Sequence, residues 1–348
     1  MTDALPFPSR RAVLALLASL PVTARAGMAS PVATPLSAID AATVLVAGPD
    51  GGLLDRWSRV VQPALAQALP PDTALTRASV GGPDGVTGAN QFATRGDPDG
   101  RTVMLTPGDA AMAWLIGDPR AKYDPGRWTS LMTCVTPGVL VVRAGALRGK
   151  KPVRIAIPGL ASTSLAGVLA LEILGARPEL VAPPRADSPL AAFSRGATDA
   201  VFVLGHNVPD QVRALIQVGG EPVLTTGGRA DSGLPTRDEA FPSVPVLTEI
   251  VSAATPLMAA YQAAATASGL EFALVLPQLT PAARVALWRQ AATEAAGALN
   301  VQVLAMAVGA RAIGGVEATV TANAVVAPPP ALMALRQWLA SRFNFRPA

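Results

Sequence analysis

The sequence predicts an α/β protein whose sheets are mainly parallel and flanked by helices. The first observation is an apolar run at residues 44–46, followed by the turn GPDGG and by apolar residues at helical spacing, which is typical of strand, loop and helix. The second observation is a similar unit about 110 residues later, at residues 153–174. Strands and helices that alternate in this way form parallel sheets, and their ligands bind beyond the carboxyl ends of the strands.

Further elements are predicted between and after these two units. Strands are expected at residues 74–80, 102–106, 139–142, 199–204, 223–226 and 272–276, and helices at 89–94, from Thr280 onward and after residue 330. Thr280 is expected to cap its helix, with Pro281 at the first helical position. Trp57, Trp288 and Trp338 fall at helical spacing with other apolar residues, so we expect them in the core.

Composition excludes several classes of function. The chain has 348 residues, of which 50% are hydrophobic, enough for one or two domains with a large core. Without residues 1–26 the balance is 25 basic against 23 acidic residues, a net charge of +2, and no basic cluster interleaved with aromatic residues suggests a nucleic-acid partner. A single cysteine, Cys134, and a single histidine, His206, exclude an internal disulfide and argue against a zinc site. We expect no metal and no cofactor.

Residues 1–26 are predicted to be an export signal. Arg10 and Arg11 precede an apolar stretch of nine residues, 12–20, which is too short to span a bilayer. Ala24-Arg25-Ala26 fits the small-x-small cleavage rule, so cleavage near Ala26 and a periplasmic location are expected. The paired arginines resemble a twin-arginine signal. Residues 27–38 are rich in Pro, Ala, Ser and Thr and are predicted to be a flexible lead-in.

Glycine-rich loops at strand ends are candidate anion sites. The loop at 48–52 contains neither a dinucleotide fingerprint nor a P-loop, so a tight turn without a ligand is the alternative. A helix start nevertheless aims unpaired N–H groups outward, and glycine lets a ligand approach the backbone. A second glycine loop spans residues 81–88, and Thr106 ends a strand that could face the same cleft. In the loop at 158–164, Ser162 or Thr163 can cap the next helix or hold an oxyanion.

In order, these motifs resemble the substrate receptors of tripartite tricarboxylate transporters, the Bug or TctC-like family. The resemblance covers residues 43–315. The matching positions are Gly51, Gly52, Asp55 and Arg59 in the first loop; Gly82, Gly85 and Gly88 in the second; PDGRT at 98–102; YDP at 123–125; residues 162–167; Gly196 and Asp199; and residues 242–249. The chain departs from the family pattern at Asp84 and Ser164, among others. A carboxylate at Asp84 would disfavour a multiply charged ligand unless it points away from the cleft.

The resemblance implies a two-lobed periplasmic-binding-protein fold of type II. Lobe one would comprise residues 39–135 and 251–348, and lobe two residues 136–250. A monomer would hold a small organic acid between the lobes, largely through backbone N–H groups, and would deliver it to membrane transporter subunits. The residues predicted to surround this ligand are Gly51, Gly52, Leu53, Asp55, Gly85, Val86, Thr87, Thr106, Ser162, Thr163, Ser164, Asp199 and His206.

Two alternatives remain open at this point. An exported hydrolase could use Ser162 as nucleophile and His206 as base, with Asp199 or Asp210 as the orienting acid, although no G-x-S-x-G motif is present. A protein of the same fold could instead have lost its ligand and bind only a partner. We expect a binding protein without catalytic residues.

Overall fold

The computed structural model describes residues 39–149, 151–182, 188–230 and 233–345. The predicted export signal and lead-in, residues 1–38, lie outside the described residues, so their prediction stays untested.

Thirteen strands are present in this part of the chain. They are β1 (Ala41–Val46), β2 (Ala74–Ser79), β3 (Thr102–Thr106), β4 (Trp128–Val135), β5 (Val139–Arg143), β6 (Val153–Ala156), β7 (Pro178–Val181), β8 (Ala200–Val203), β9 (Gly220–Thr225), β10 (Gly228–Arg229), β11 (Pro235–Thr236), β12 (Leu270–Pro277) and β13 (Arg311–Gly314).

The strands form two large sheets and one small hairpin. The first sheet has the order β13-β4-β12-β3-β1-β2, and four of its six strands run in the same direction. The second has the order β7-β6-β8-β5-β9, with four of five strands in the same direction. Both sheets place one opposed strand, β12 or β5, between the third and fourth parallel strands. The same topology is therefore built twice, and β10 pairs with β11 separately.

Twelve α-helices flank the sheets. They are α1 (Leu53–Ala68), α2 (Val86–Arg95), α3 (Gly108–Ile116), α4 (Leu165–Ile173), α5 (Pro189–Ser194), α6 (Val208–Gln217), α7 (Leu247–Ile250), α8 (Pro256–Gly269), α9 (Ala282–Gly297), α10 (Leu299–Val308), α11 (Gly315–Asn323) and α12 (Pro329–Phe343). In the described ranges no single helix has the length and apolar character of a membrane span; only α9 and α10 taken together do, and they are bent by 59°.

The predicted fold class is confirmed: two mainly parallel sheets lie among helices. Trp57 and Trp288 are buried as expected, and burial raises the pKa of the Cys134 thiol. The cap prediction at Thr280 is wrong, because its hydroxyl donates to the Pro277 carbonyl at 2.8 Å and α9 begins after Pro281. The predicted lobe boundaries stay a prediction, although the first sheet takes its strands from both ends of the chain and the second from the middle.

Helices α3 and α8 were not predicted, because they lack a polar face. Seven of the nine residues of α3 are buried, as are nine of the fourteen of α8, so neither sequence shows the usual amphipathic spacing. Helix α8 packs on α3 beside the first sheet, on α4 beside the second, and on α12. One hydrophobic core therefore runs through α3, α4, α8 and α12, and includes β5 and β6.

Gly108 sets the distance between α3 and α8. A methyl group built on Gly108 would lie 1.9 Å from the Ala267 carbonyl oxygen and 2.9 Å from that of Leu270. Because both neighbours are backbone atoms, they cannot rotate away, and the two helices would have to separate.

We predict that Gly108→Ala lowers the free energy of unfolding by about 3 kcal/mol or more, the upper part of the range for overpacked cores. Gly297→Ala is the matched control, because Gly297 lies in α9 with no atom within 4 Å of the added methyl group. We expect the control to be neutral or to gain up to about 1 kcal/mol from helix propensity. Urea denaturation of both variants measures the difference, and equal stabilities would contradict the close approach.

Candidate functional site

Three helix starts meet at one edge of the first sheet. Helices α1, α2 and α3 follow the carboxyl ends of β1, β2 and β3, which are parallel neighbours. The loops touch, since a methyl group on Gly85 would lie 2.5 Å from Pro107 Cδ and 3.2 Å from the Ala47 carbonyl oxygen. None of the three helices has a side-chain cap. The Val86 N–H donates to Asp84 Oδ1 at 3.3 Å and the Ala110 N–H to the Pro107 carbonyl at 3.2 Å. Other N–H groups at the starts of α1 and α2 have no acceptor among the described residues and can bind an anion.

The buried carboxylate of Asp55 fixes the conformation of the first loop. Its side chain has no exposed surface, accepts from the Gly51 N–H at 2.9 Å and pairs with Arg59 at 2.9 Å and Arg77 at 2.8 Å. The Gly51 bond and these two guanidinium groups hold the pKa of Asp55 below its usual value, despite burial. Asp55, predicted to contact the ligand, is thus engaged in fixing the loop that precedes α1.

The second loop is shaped by packing. A methyl group on Gly88 would lie 2.6 Å from Ala47 Cα, so both Gly85 and Gly88 are required for α2 to lie against the end of β1. Val86 is buried, whereas Thr87 is exposed at the helix start. Asp84 does not carry a free charge, because it pairs with Arg120 at 2.9 Å.

The second sheet contributes the loop that precedes α4. The caps expected here are absent: the Ser162 hydroxyl donates to the Gly159 carbonyl at 2.6 Å, and α4 begins after Ser164 without a side-chain cap. The N–H of Leu165 is already bonded to the Ser162 carbonyl at 3.0 Å. The prediction that Ser162 or Thr163 caps α4 is therefore wrong, and Thr163 is the residue that faces the first sheet.

Thr163 meets a carboxylate of the protein itself. Its N–H and its hydroxyl lie beside the carboxylate of Asp109, in the first turn of α3. Burial raises the pKa of Asp109, and the negative charges of Asp84 and Glu271 raise it further. The donors of Thr163 act in the opposite direction and lower this pKa. The Ser268 hydroxyl donates to the Thr163 carbonyl at 2.6 Å and fixes the loop from the other side.

A second contact between the sheets involves His206 and Glu271. His206 Nε2 lies 3.4 Å from Glu271 Oε2, and Trp57 Nε1 donates to the same oxygen at 3.4 Å. Glu271 is the extra residue of a β-bulge in β12, since the register with β4 shifts between Leu270 and Phe272. The bulge turns a charged side chain toward the second sheet from within an otherwise apolar strand.

The hydrolase geometry is not formed. Ser162 and His206 are both described, and no hydrogen bond joins them: the hydroxyl is bonded to Gly159 and the imidazole faces Glu271. Nor does any group of three or more His, Cys, Asp or Glu side chains within the described ranges stand close enough to hold a metal ion.

Asp199 lies elsewhere, and the hydroxyl of Thr106 faces a separate void. Asp199 precedes β8 and binds Arg154 at 2.8 Å, at the amino ends of the parallel strands β6 and β8 and so at the opposite edge from Ser162. Thr106 faces a void of about 30 Å³ beside Ser130 and Asn323, and its buried hydroxyl has no partner among the described residues. The remaining predicted residues stay proposals.

Sequence reasoning missed Asp109 and Glu271. A usable signal existed for Asp109, because it follows Thr106-Pro107-Gly108 at a strand end already expected to face the cleft. Glu271 is the only charged residue in the apolar run 270–277, and a charge within a buried strand marks a special position. Neither signal reveals the partner, since Thr163 and His206 lie far away in sequence.

Comparison with known proteins identifies solved structures that share this fold. No family model and no curated protein matches the sequence. Among solved structures, a TctC solute-binding protein from Polaromonas matches 87% of this chain and 98% of its own, with 16% identity and a TM-score of 0.63. The periplasmic binding protein BugD (15% identity, TM-score 0.48) and MatC from Rhodopseudomonas palustris with bound malate (18%, 0.48) each match 87% of this chain and at least 96% of their own.

The chain has the fold of a TctC solute-binding protein. At 16% identity the likeness concerns fold alone, and it confirms, at that level, the resemblance derived from the glycine loops. BugD and MatC superpose too loosely to define any shared site geometry.

Two carboxylates of the site should respond oppositely to pH. Asp55 has a lowered pKa, so its ionised form supports folding above about pH 4, and this contribution is lost as the pH falls. Asp109 has a raised pKa, so its ionisation weakens folding as the pH rises. We therefore predict that Asp55→Asn destabilises and Asp109→Asn stabilises the protein at pH 7. The Asp109→Asn difference should shrink as the pH falls toward about 4, whereas the Asp55→Asn difference should persist to about pH 4 and shrink below it.

Chemical denaturation at several pH values checks this prediction. Asp210→Asn is the control, because Asp210 is 71% exposed and pairs only with exposed Arg213. A pH-independent effect of either site variant, or a loss of stability in Asp109→Asn at pH 7, would contradict the assignment.

Proposed function

We propose that this protein is a periplasmic solute receptor that captures a small organic acid between two lobes and passes it to a tripartite tricarboxylate-type transporter. In this proposal lobe one comprises residues 39–135 and 251–348, lobe two comprises residues 136–250, and the monomer is the binding unit. The observation that carries the proposal is that Asp109, in the first turn of α3, lies beside the N–H and hydroxyl of Thr163 in the loop before α4. Helices α1 and α2 begin without side-chain caps at the same edge of the first sheet as α3.

The charges of the cleft favour a ligand of low charge. Backbone N–H groups at helix starts attract a carboxylate without any Lys or Arg. Asp109 and Glu271 are negative and lie on the same side, so each additional ligand charge would be repelled. A monocarboxylate therefore fits this cleft better than a dicarboxylate, and it would take over the Thr163 donors when Asp109 moves aside.

Binding rather than catalysis is supported by the state of the two residues that a hydrolase would use. The Ser162 hydroxyl is committed to a backbone carbonyl, and His206 is held by Glu271. A nucleophile requires an adjacent base, and the arrangement provides none for Ser162. We expect the protein to return a bound acid unchanged.

We predict that Gly52→Asp and Thr163→Val each weaken binding of a monocarboxylate by about 10- to 100-fold, the range for losing one charge-assisted hydrogen bond. Gly52 is the N-cap position of α1, so an aspartate there would place a competing carboxylate on the free N–H groups of that helix. Titration calorimetry against a panel of mono- and dicarboxylates measures the affinities.

Gly149→Asp is the matched control, since it adds the same charge just before β6, at the edge of the second sheet away from Ser162. Thermal melts show that each variant is folded. If a carboxylate binds the wild-type chain and its affinity is unchanged in both site variants, the ligand lies elsewhere; if no acid binds at all, the proposal fails.

A further inference from the structure

A cavity of about 300 Å³ lies where the chain passes between the two sheets, away from the candidate cleft. Its wall is formed by the β4–β5 connection, the strands β10 and β11 with the residues after β11, the end of α8 and the segment from Gly309 to Ile313. None of the thirteen residues predicted for the organic acid lines it. A volume of this size lies at the lower end of the range for small-molecule pockets.

Arg229 gives this cavity a positive charge. Three of its five N–H donors are bonded, to the Gly233 carbonyl at 2.8 Å, the Gln262 carbonyl at 3.3 Å and Thr266 Oγ1 at 2.6 Å. Within the described residues it forms no ion pair, and burial lowers its pKa. Its Nε–H and one Nη1–H remain, and each of them can donate to a single carboxylate oxygen.

Asp238 gives the same cavity a negative charge. Its Oδ1 accepts the Ala240 N–H at 2.9 Å, and no Lys or Arg in the described chain pairs with it. Burial raises its pKa, against the attraction of Arg311. Glu239 lines the wall beside it and is likewise without an ion-pair partner in the described ranges.

Two further arginines of the wall are already neutralised by ion pairs. Arg311 pairs with Glu317 at 2.7 Å, and Arg237 pairs with Glu249 at 2.9 Å. Arg229, Asp238 and Glu239 are thus left as charges that line one cavity and form no ion pair among the described residues. A molecule carrying one positive and one negative charge could pair with both Arg229 and Asp238. A simple anion could pair with Arg229 but would be repelled by Asp238.

We propose that this cavity binds a small amino acid, with its carboxylate on Arg229 and its ammonium group on Asp238. The site is separate from the one proposed for the organic acid and does not depend on it. Because its wall includes the β4–β5 connection, an occupant would lie against a segment that joins the two sheets.

Calorimetric titration of the full chain with glycine, L-alanine and 4-aminobutyrate tests the proposal, with propionate as the probe that lacks an ammonium group. We expect saturable binding of at least one amino acid, and binding of propionate weaker by about 10-fold or more. Arg229→Gln and Asp238→Asn should each reduce amino-acid affinity by a similar factor. Asn at 238 retains an oxygen that can accept the Ala240 N–H.

Arg213→Gln and Asp210→Asn are the controls, since this exposed pair in α6 lies outside the cavity wall and should leave affinity unchanged. Binding should also persist in Gly52→Asp, which separates this cavity from the cleft. If Arg229→Gln fails to fold, the amino-acid affinity of Asp238→Asn alone tests the proposal. Absence of amino-acid binding, equal affinity for propionate and L-alanine, or unchanged affinity in folded Asp238→Asn would each overturn the proposal.

Discussion

The short junction from the end of α8 into β12 holds the two sheets in position. The Ala267 carbonyl lies so close to Gly108 that only glycine fits, which fixes α3 and hence the start of the helix that carries Asp109. One residue later, Ser268 binds the Thr163 loop of the second sheet at 2.6 Å. Three residues further on, a β-bulge at Glu271 directs its side chain toward His206, which lies 3.4 Å away. A single stretch of five residues thus contacts both sides of the cleft.

As a consequence, some polar and charged groups of the cleft already interact with other groups of the protein. Thr163 lies beside Asp109, and His206 lies beside Glu271, so a ligand gains only the difference between its own contacts and those that it displaces. The uncapped starts of α1 and α2 are the unsatisfied part of the site. Selectivity then arises from free N–H groups that attract one negative charge and from nearby carboxylates that repel a second.

The sequence predicted the parts of the structure that depend on local patterns. Glycine loops between strands and amphipathic helices identified the fold class, and the first loop was placed correctly at the start of α1. The buried helices α3 and α8 were not predicted, because a helix that is apolar on all sides shows no alternation of apolar and polar residues at helical spacing. The site was only half predictable: Asp199 has the spacing of the family motif but lies at the wrong edge of its sheet, and the Asp109–Thr163 contact depends on packing between segments distant in sequence.

Hydrogen exchange at the helix starts tests the central claim most directly. The claim is that N–H groups of Leu53, Leu54, Thr87 and Gly88, which have no acceptor within the described chain, bind the carboxylate of the ligand. Mass spectrometry of exchange, performed with an acid shown to bind by calorimetry, should show slower exchange in peptides covering residues 50–56 and 84–90. Protection confined to other segments, with these two peptides unchanged at saturation, would contradict the account.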